Sequence, residues 1–429
     1  MVVQTFCIFL KDENIMKWNP RAAGAALVFA FAPLSLAWSG QPAELFKPMP
    51  LAAMQSAQDA TLQAIHAVPA YRMINRINAD AQALREETIE IGVMLAPGVR
   101  SMVRRTHVQR LADGSLVWRG TWNASASVPT ALSAATDWLD AANEVVLIER
   151  NGRITGSIRA DGNLYAIRPL SSGGHAVIAV DENHMPAELA PVTAVAMDRP
   201  DDRGVQRVIQ ADGIDARVMI VFSDNAIKSL ADPTGLAHLA VAETNAGYAR
   251  SGINHRLQMV DTVYASEYRD SGGLGTDLAR LTDASDGFID WVHARRNEQR
   301  ADLVTLITAG GDACGVGYLN SGAGSAFTVA TKDCATGYYS YGHELGHNYG
   351  ATHDPGAGRN TIYPYGHGFQ HLGARLRTVM AYDCGGGYSR VNIWSGPNNR
   401  WNGQVMGNAH QSDNTRVLNE RAGTVAGFR

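Results

Sequence analysis

The chain has 429 residues, enough for two or three domains, and 45% of them are apolar, which argues against bulk disorder. Its 37 Lys and Arg against 41 Asp and Glu give a net charge of −4, which leaves no basic footprint and excludes a nucleic-acid partner. No G-x-S-x-G elbow, P-loop or dinucleotide fingerprint occurs, so serine-hydrolase and nucleotide chemistry have no support either.

Met1 to Ile15 mixes apolar residues with Lys11, Asp12 and Glu13, and a second start lies at Met16. From there Lys17 and Arg21 precede an apolar stretch from Ala22 to Ala37, ending in Ser35-Leu36-Ala37, small residues of the kind a signal peptidase reads. The stretch is shorter than the ~20 residues of a spanning helix, and no later segment is apolar enough to span a bilayer. Residues 1–37 therefore read as a signal region, with export and no membrane partner expected. No Cys follows the stretch, which argues against a lipid anchor. Cys7 would leave with the signal; Cys314, Cys334 and Cys384 remain, in a chain bound for an oxidising space. One disulfide and one odd thiol is the simplest arithmetic, and the spacing has no C-x-x-C zinc pattern.

Ala52 to His66 is predicted helical, stopping before Pro69. Short strand-like runs follow at Val145–Glu149, Arg153–Arg159, Leu164–Arg168 and Ala176–Val180. Asn151-Gly152, Asp161-Gly162 and Ser171-Ser172-Gly173-Gly174 separate them, and Asn-Gly and Asp-Gly between strands signal hairpins. This is a β-meander without a cluster of chemistry-bearing residues. Met197 to Arg207 is a charged linker and a plausible processing site. After it, strands at Arg217–Phe222, Arg256–Tyr264 and Leu303–Thr308 alternate with helices at Gly235–Arg250 and Ala279–Arg295. Short strands at Val316–Leu319 and Ala326–Ala330, a helix over Tyr338–Tyr349 and a last helix near Asp413–Val425 complete an α/β order.

The decisive segment is Tyr341-Gly342-His343-Glu344-Leu345-Gly346-His347-Asn348-Tyr349-Gly350-Ala351-Thr352-His353-Asp354. His343 and His347 are one helical turn apart on one face and can grip one ion. Glu344 lies about 100° around, beside the metal rather than on it. Gly350 suits a left-handed helix cap, after which the chain turns back and delivers His353. Three nitrogens leave one position for water, the arrangement of a catalytic zinc site. From composition alone the full pattern should arise roughly once in 10⁴ chains of this length. The three histidines complete the set, so His367 and His371, in a Gly-rich loop, are not expected to be ligands. His238, His255, His293 and His410 have no partner pattern.

H-E-x-x-H-x-x-G-x-x-H followed by Thr378-Val379-Met380-Ala381-Tyr382 resembles the metzincin clan of zinc peptidases. The resemblance implies an α/β (α+β) domain with a mixed, mostly parallel twisted sheet, a zinc-site helix and a Met-turn in which Met380 is an apolar floor. Tyr382 resembles the tyrosine that astacins and serralysins place near the metal, and Asp354 resembles the adamalysin (reprolysin) pattern. Asp312-Ala313-Cys314-Gly315-Val316-Gly317-Tyr318-Leu319, Ala326-Phe327-Thr328-Val329 and Val391-Asn392-Ile393-Trp394-Ser395-Gly396-Pro397-Asn398 resemble the bacterial reprolysin-like peptidyl-Asp metallopeptidases. Their pattern often closes a short loop with a second Cys near Cys384; Gly385 to Arg390 has none, so Cys384 is expected to lack a partner. Cys314 with Cys334 is the expected disulfide, Cys334 with Cys384 the alternative.

These readings divide the chain into a signal region, a strand-rich propeptide over 38–205 and a metzincin catalytic domain over 206–429. Zinc activates a water, Glu344 takes its proton and passes it to the leaving amine, and Tyr382 assists the tetrahedral intermediate. The edge strand Gly315–Leu319 accepts protein or peptide substrates as an added antiparallel strand. Cleavage before Asp or Glu, implied by the resemblance, demands a cation in the pocket. Arg390 is the first choice and Arg400 the second, with Arg375 and Arg377 nearby. Residues 38–213 contain no Cys to block zinc. Latency would then come from Asp181 or His184, or from steric cover by the meander. The chain is expected to be a monomer; a structural Ca²⁺ is possible but has no ligand pattern behind it. The rival reading is an inactive secreted zinc-binding or adhesive protein on a metzincin scaffold, which should have lost Glu344 or a ligand.

Overall fold

A computed structural model describes residues 43–49, 59–122, 141–193, 214–383, 385 and 387–429. The signal region, residues 52–58 of the first predicted helix, the linker 197–207 and Cys384 lie outside the described residues.

The first half is one sheet of ten strands: β1 (Ala43–Glu44), β2 (Phe46–Pro48), β3 (Tyr71–Ala79), β4 (Glu90–Ala96), β5 (Val99–Arg110), β6 (Leu116–Trp122), β7 (Glu144–Arg150), β8 (Arg153–Ala160), β9 (Asn163–Pro169) and β10 (His175–Val180). Their order is β1-β4-β5-β6-β7-β8-β9-β10-β3-β2, antiparallel except for β1 beside β4. Two of the two-residue turns have the predicted chemistry. Asn151 and Gly152 take φ 51° and 79°, and Asp161 and Gly162 take 50° and 83°, the doubly left-handed turn that matches strand twist. Sequence reasoning missed β3 to β6; β3 and β5 carry many polar residues, such as Arg100, Arg104 and Arg105 in β5, while β4 and β6 are short apolar runs. Alternating positions still send Ile91, Val93, Val103, Leu116 and Trp118 into one core. Helix α1 (Ala60–His66), capped by Asp59, is the described part of the first predicted helix.

The second half is a mixed sheet in the order β11-β15-β16-β14-β12-β13. Its strands are β11 (Val192–Thr193), β12 (Ala216–Ser223), β13 (Leu257–Ala265), β14 (Leu303–Thr308), β15 (Gly315–Leu319) and β16 (Phe327–Thr331). Neighbours are parallel except β15, which runs antiparallel to β16. Side chains of β12 alternate between two cores: Val218, Ile220 and Phe222 face one, Met219 and Val221 the other. Beyond α2 (Asp224–Ser229), helices α3 (Pro233–Arg250), α6 (Ser340–Tyr349) and α7 (Asn414–Val425) contribute to the first core. Helices α4 (Leu274–Thr282) and α5 (Trp291–Glu298) contribute to the second. The single helix predicted over Ala279–Arg295 is thus two. Asp283 turns back to accept from the amide and hydroxyl of Ser285, and Gly287 takes φ 86°, which together break the run. The structure joins Cys314 to Cys334 across the β15–β16 hairpin.

The two sheets are docked. Ile65, Tyr71, Ala166, Ile178 and Met185 of the first half share an apolar cluster with Cys314, Cys334 and Tyr338 of the second. Ion pairs surround it: Arg250 to Glu144 at 2.7 Å and Arg150 to Asp232 at 3.1 Å. Arg159 grips Glu182 at 2.9 Å and also donates to the Tyr339 hydroxyl and the Gly337 carbonyl. Glu243 of α3 accepts from the Ser157 hydroxyl of β8 and from the Gly337 amide at 2.8 Å.

Burial raises the Glu243 carboxyl from 4.5 to about 7. The folded chain therefore holds this proton where the unfolded chain has lost it, and the contribution is most favourable at low pH. It declines as pH rises from about 5 to about 7, then levels off. We expect Glu243→Gln to remove a component of up to about 1.4 kcal/mol per pH unit from the stability profile in that window, measured by urea melts at stepped pH. A profile unchanged by the substitution would contradict the assignment.

Candidate metal centre

Helix α6 carries His343, Glu344 and His347, all buried. Tyr339 enters it at φ 67° and Gly350 ends it at φ 105°, the left-handed cap its sequence requires. Ala351 N donates to Gly346 O at 3.0 Å, which folds the chain back and brings His353 over the helix. His353 Nε2 then lies 3.0 Å from His343 Nε2 and 3.1 Å from His347 Nε2.

The orientation of these rings is fixed from behind. His343 Nδ1–H donates to Val379 O and His347 Nδ1–H to Ala351 O, both at 2.8 Å. Each Nε2 of that pair is therefore left unprotonated and aimed inward. Burial, then the neighbouring imidazoles, hold His343 and His353 well below the ordinary histidine range, so the lone pairs stay available. Such nitrogens repel unless a cation lies between them. Three ligands of a tetrahedral zinc with bonds of 2.0–2.1 Å lie roughly 3.3 Å apart, close to the spacing found. The residues fit zinc.

Glu344 projects beside this group. Burial pushes its carboxyl well above the usual carboxylate range, and the facing carboxyl of Glu188 adds to the effect. Its two oxygens have no hydrogen-bond partner of good geometry among the described residues. Strand β15 passes so close that a Cβ on Gly315 would lie 2.5 Å from Glu344 Oε1, and one on Gly317 would lie 2.9 Å from the Glu344 carbonyl. Asn348 Nδ2 to Tyr318 O at 2.9 Å and Asn320 N to His347 O at 2.8 Å tie the helix to that strand. These two glycines were quoted in the sequence without a role; their place in an apolar strand was the available signal.

Met380 lies under the helix. A Cβ on Gly346 would meet Met380 Sδ at 2.7 Å and the Trp394 ring at 2.8 Å, so the middle glycine of the motif makes room for the floor. The Tyr382 ring lies over His353, centroids 3.8 Å apart. Its amide donates to Asp354 Oδ1 at 2.9 Å, which joins the third histidine's loop to the turn. His367 accepts from Asn360 N and donates to His353 O, supporting that loop without joining the ligand cluster, while His371 caps Ala374 N.

Of the two arginines expected at the pocket, one is buried and one exposed. Arg390 is 1% exposed and its Nη1 donates to Glu188 Oε1 at 2.6 Å and to Tyr338 O at 3.0 Å. Arg400 lies exposed on a short hairpin, where Asn402 and Gly403 turn at φ 47° and 80°; Trp401 takes the inward position and Arg400, its neighbour, faces solvent. Arg377 is buried but spends its donors on Tyr388 O, Ala381 O and the Tyr338 hydroxyl. Arg375 is exposed, in a left-handed turn at φ 53°. Asp181 and His184 bond each other at 2.9 Å near the surface, with Arg72 on Asp181, and neither joins the histidine cluster. The acid that reaches the site from the first half is Glu188, which nothing in its local sequence distinguished.

The profile of metallo-peptidase family M12 (Reprolysin_5) matches residues 219–395. The peptidyl-Asp metalloendopeptidase of Stenotrophomonas maltophilia (strain R551-3) is 35% identical over 421 residues, covering 95% of this chain and 99% of that protein. The peptidyl-Asp metalloendopeptidase of Xanthomonas campestris pv. campestris is 34% identical over 408 residues, 92% of this chain and 95% of that protein. Among solved structures, metalloproteinase-II from Bacteroides fragilis is a distant likeness, with TM-score 0.41 and 10% identity over 85% of this chain and 96% of that one. With its three-histidine centre and mixed α/β fold, the protein is a zinc metalloendopeptidase. The chain belongs to the peptidyl-Asp metalloendopeptidase family, within the M12 metallopeptidases.

Replacing His353 with Ala should take bound zinc from one per chain to near none, read by elemental analysis. Gly315→Ala should retain the zinc and lose activity at least tenfold, because the added methyl needs the space of the Glu344 carboxylate. Full activity in that variant would show that the strand does not constrain Glu344.

Proposed function

We propose that the chain is an exported zinc endopeptidase, made with residues 38–205 as a propeptide, that cuts peptide bonds on the amino side of acidic residues. The observation that carries the reading is the buried grouping of three convergent imidazoles, the Glu344 carboxyl and the Arg390 guanidinium beside helix α6.

A zinc ion held by His343, His347 and His353 supplies Lewis acidity and lowers the pKa of a bound water towards ~7. Glu344, whose oxygens have no hydrogen-bond partner of good geometry among the described residues, accepts the proton of the attacking water and delivers it to the leaving nitrogen. Tyr382, fixed over His353, gives its hydroxyl to the developing oxyanion. Met380 forms the apolar floor of a Met-turn under Gly346. Strand β15 offers its outer edge to an antiparallel substrate strand. Arg390 pairs with the acidic side chain that follows the scissile bond. The names of the relatives and the Arg390–Glu188 pair at this site both support an acidic preference. The apolar N-terminal stretch and the Cys314–Cys334 disulfide support export.

Glu344→Gln should keep its zinc and lower kcat by about 10²–10⁴-fold or more, since an amide cannot take the proton. In the processed enzyme, Arg390→Ala should lower kcat/KM for a peptide with Asp after the cut roughly 10- to 100-fold, and much less for its Asn counterpart. A cleavage profile dominated by large apolar residues after the cut would remove the acidic-specificity reading and leave the zinc chemistry standing.

A further inference from the structure

Glu188 belongs to the first half of the chain, yet its side chain is fully buried against the second. Its Oε1 accepts from Arg390 Nη1 and from the Ser340 hydroxyl, each at 2.6 Å. Arg390 is itself held in place, with its guanidinium 4.4 Å over the Tyr338 ring and a bond to Tyr338 O. A buried carboxylate is tolerated only where donors await it; here both donors reach Oε1, while Oε2 has no hydrogen-bond partner among the described residues. The backbone on either side of Glu188 is docked as well. Cys314 N donates to Ala187 O at 2.9 Å and Leu189 N donates to Gly315 O at 3.0 Å. Further on, Val192 and Thr193 pair with Tyr318 and Leu319. The pairing is parallel.

We propose that Ser340 and Arg390 together form the carboxylate-binding subsite of the cleft, and that Glu188 is its tethered ligand, which keeps the intact chain latent. The proposal rests on the reading that this pocket takes the acidic residue of a substrate. The segment from Ala187 to Thr193 covers the same edge of β15 that a substrate strand needs. Running parallel, it presents its peptide bonds with the opposite polarity to an antiparallel substrate, so the nitrogen next to the scissile position is not where Glu344 delivers a proton. The segment is therefore bound like a substrate and not cut like one. Ser340 thereby becomes a second specificity-determining residue, a neutral donor that shares the carboxylate with Arg390.

The test uses the intact chain, its mass checked before and after assay, loaded with Zn²⁺. Glu188→Gln removes the charge that Arg390 holds, and should raise the activity of the intact chain on an Asp-containing peptide at least tenfold over wild type. Glu188→Asp should stay within threefold of wild type. A cooperative melt confirms that each variant is folded. If folded Glu188→Gln is no more active than wild type, the proposal is overturned. Where that variant does not fold, Leu189→Pro carries the test. It removes the amide bonded to Gly315 and leaves both members of the ion pair, and it too must raise activity; failure to do so overturns the proposal. The specificity reading is judged separately, by comparing Asp and Asn peptides on the processed wild-type enzyme. Indifference there sinks the acidic subsite, while activation of Glu188→Gln would still show that Glu188 blocks the cleft.

Discussion

Three imidazole nitrogens gathered within about 3 Å of one another suit one shared cation, and the second half of the fold is organised to hold them so. Two carbonyls, of Val379 and Ala351, fix the rear nitrogens of His343 and His347. The left-handed Gly350 reverses the chain so that His353 can come back over the helix. Asp354, bonded to Tyr382 N, ties that return to the turn containing Met380. The helix must also lie against the sheet edge without side chains between them, which Gly315 and Gly317 permit on one side and Gly346 on the other. A methyl at any of these positions pushes on the metal-site helix, so the glycines are as much a part of the centre as the histidines.

The first half bears on this centre along two routes. One is the broad docking surface, where an apolar cluster and buried pairs such as Glu144–Arg250 hold the ten-stranded sheet against α3 and the hairpin of β15 and β16. The other is the segment that leaves that sheet after β10, whose Glu188 enters the cleft and pairs with Arg390. Both carry buried charge, and buried charge left without its partner is costly. Separation of the halves exposes those groups to water, which compensates them.

Much of the second half was legible in its residues. His343, Glu344, His347, Gly350 and His353 are spaced by helical geometry, a local rule, so the centre could be assembled before any tertiary contact was known. The hairpins at Asn151-Gly152 and Asp161-Gly162 were legible for the same reason. What failed to show was long-range. β3 and β5 carry polar residues on most positions, which masks their alternation, although Pro97-Gly98 and Asp113-Gly114 mark the turns on either side of β5. Arg390 and Arg400 are equally basic and both follow the turn in sequence. Which one is buried depends on the Asn402-Gly403 hairpin and on a partner 202 residues away, in Glu188. Glu188 itself carries no pattern; its importance comes wholly from the surface it meets.

The central claim is a zinc ion bound by three imidazoles and no other side chain. X-ray absorption at the zinc edge of the intact, zinc-loaded chain tests it most directly. The account predicts three imidazole nitrogens at about 2.0–2.1 Å, with any remaining scatterer a light oxygen atom. A fit requiring sulfur, or fewer than three imidazoles, would contradict the centre built on His343, His347 and His353.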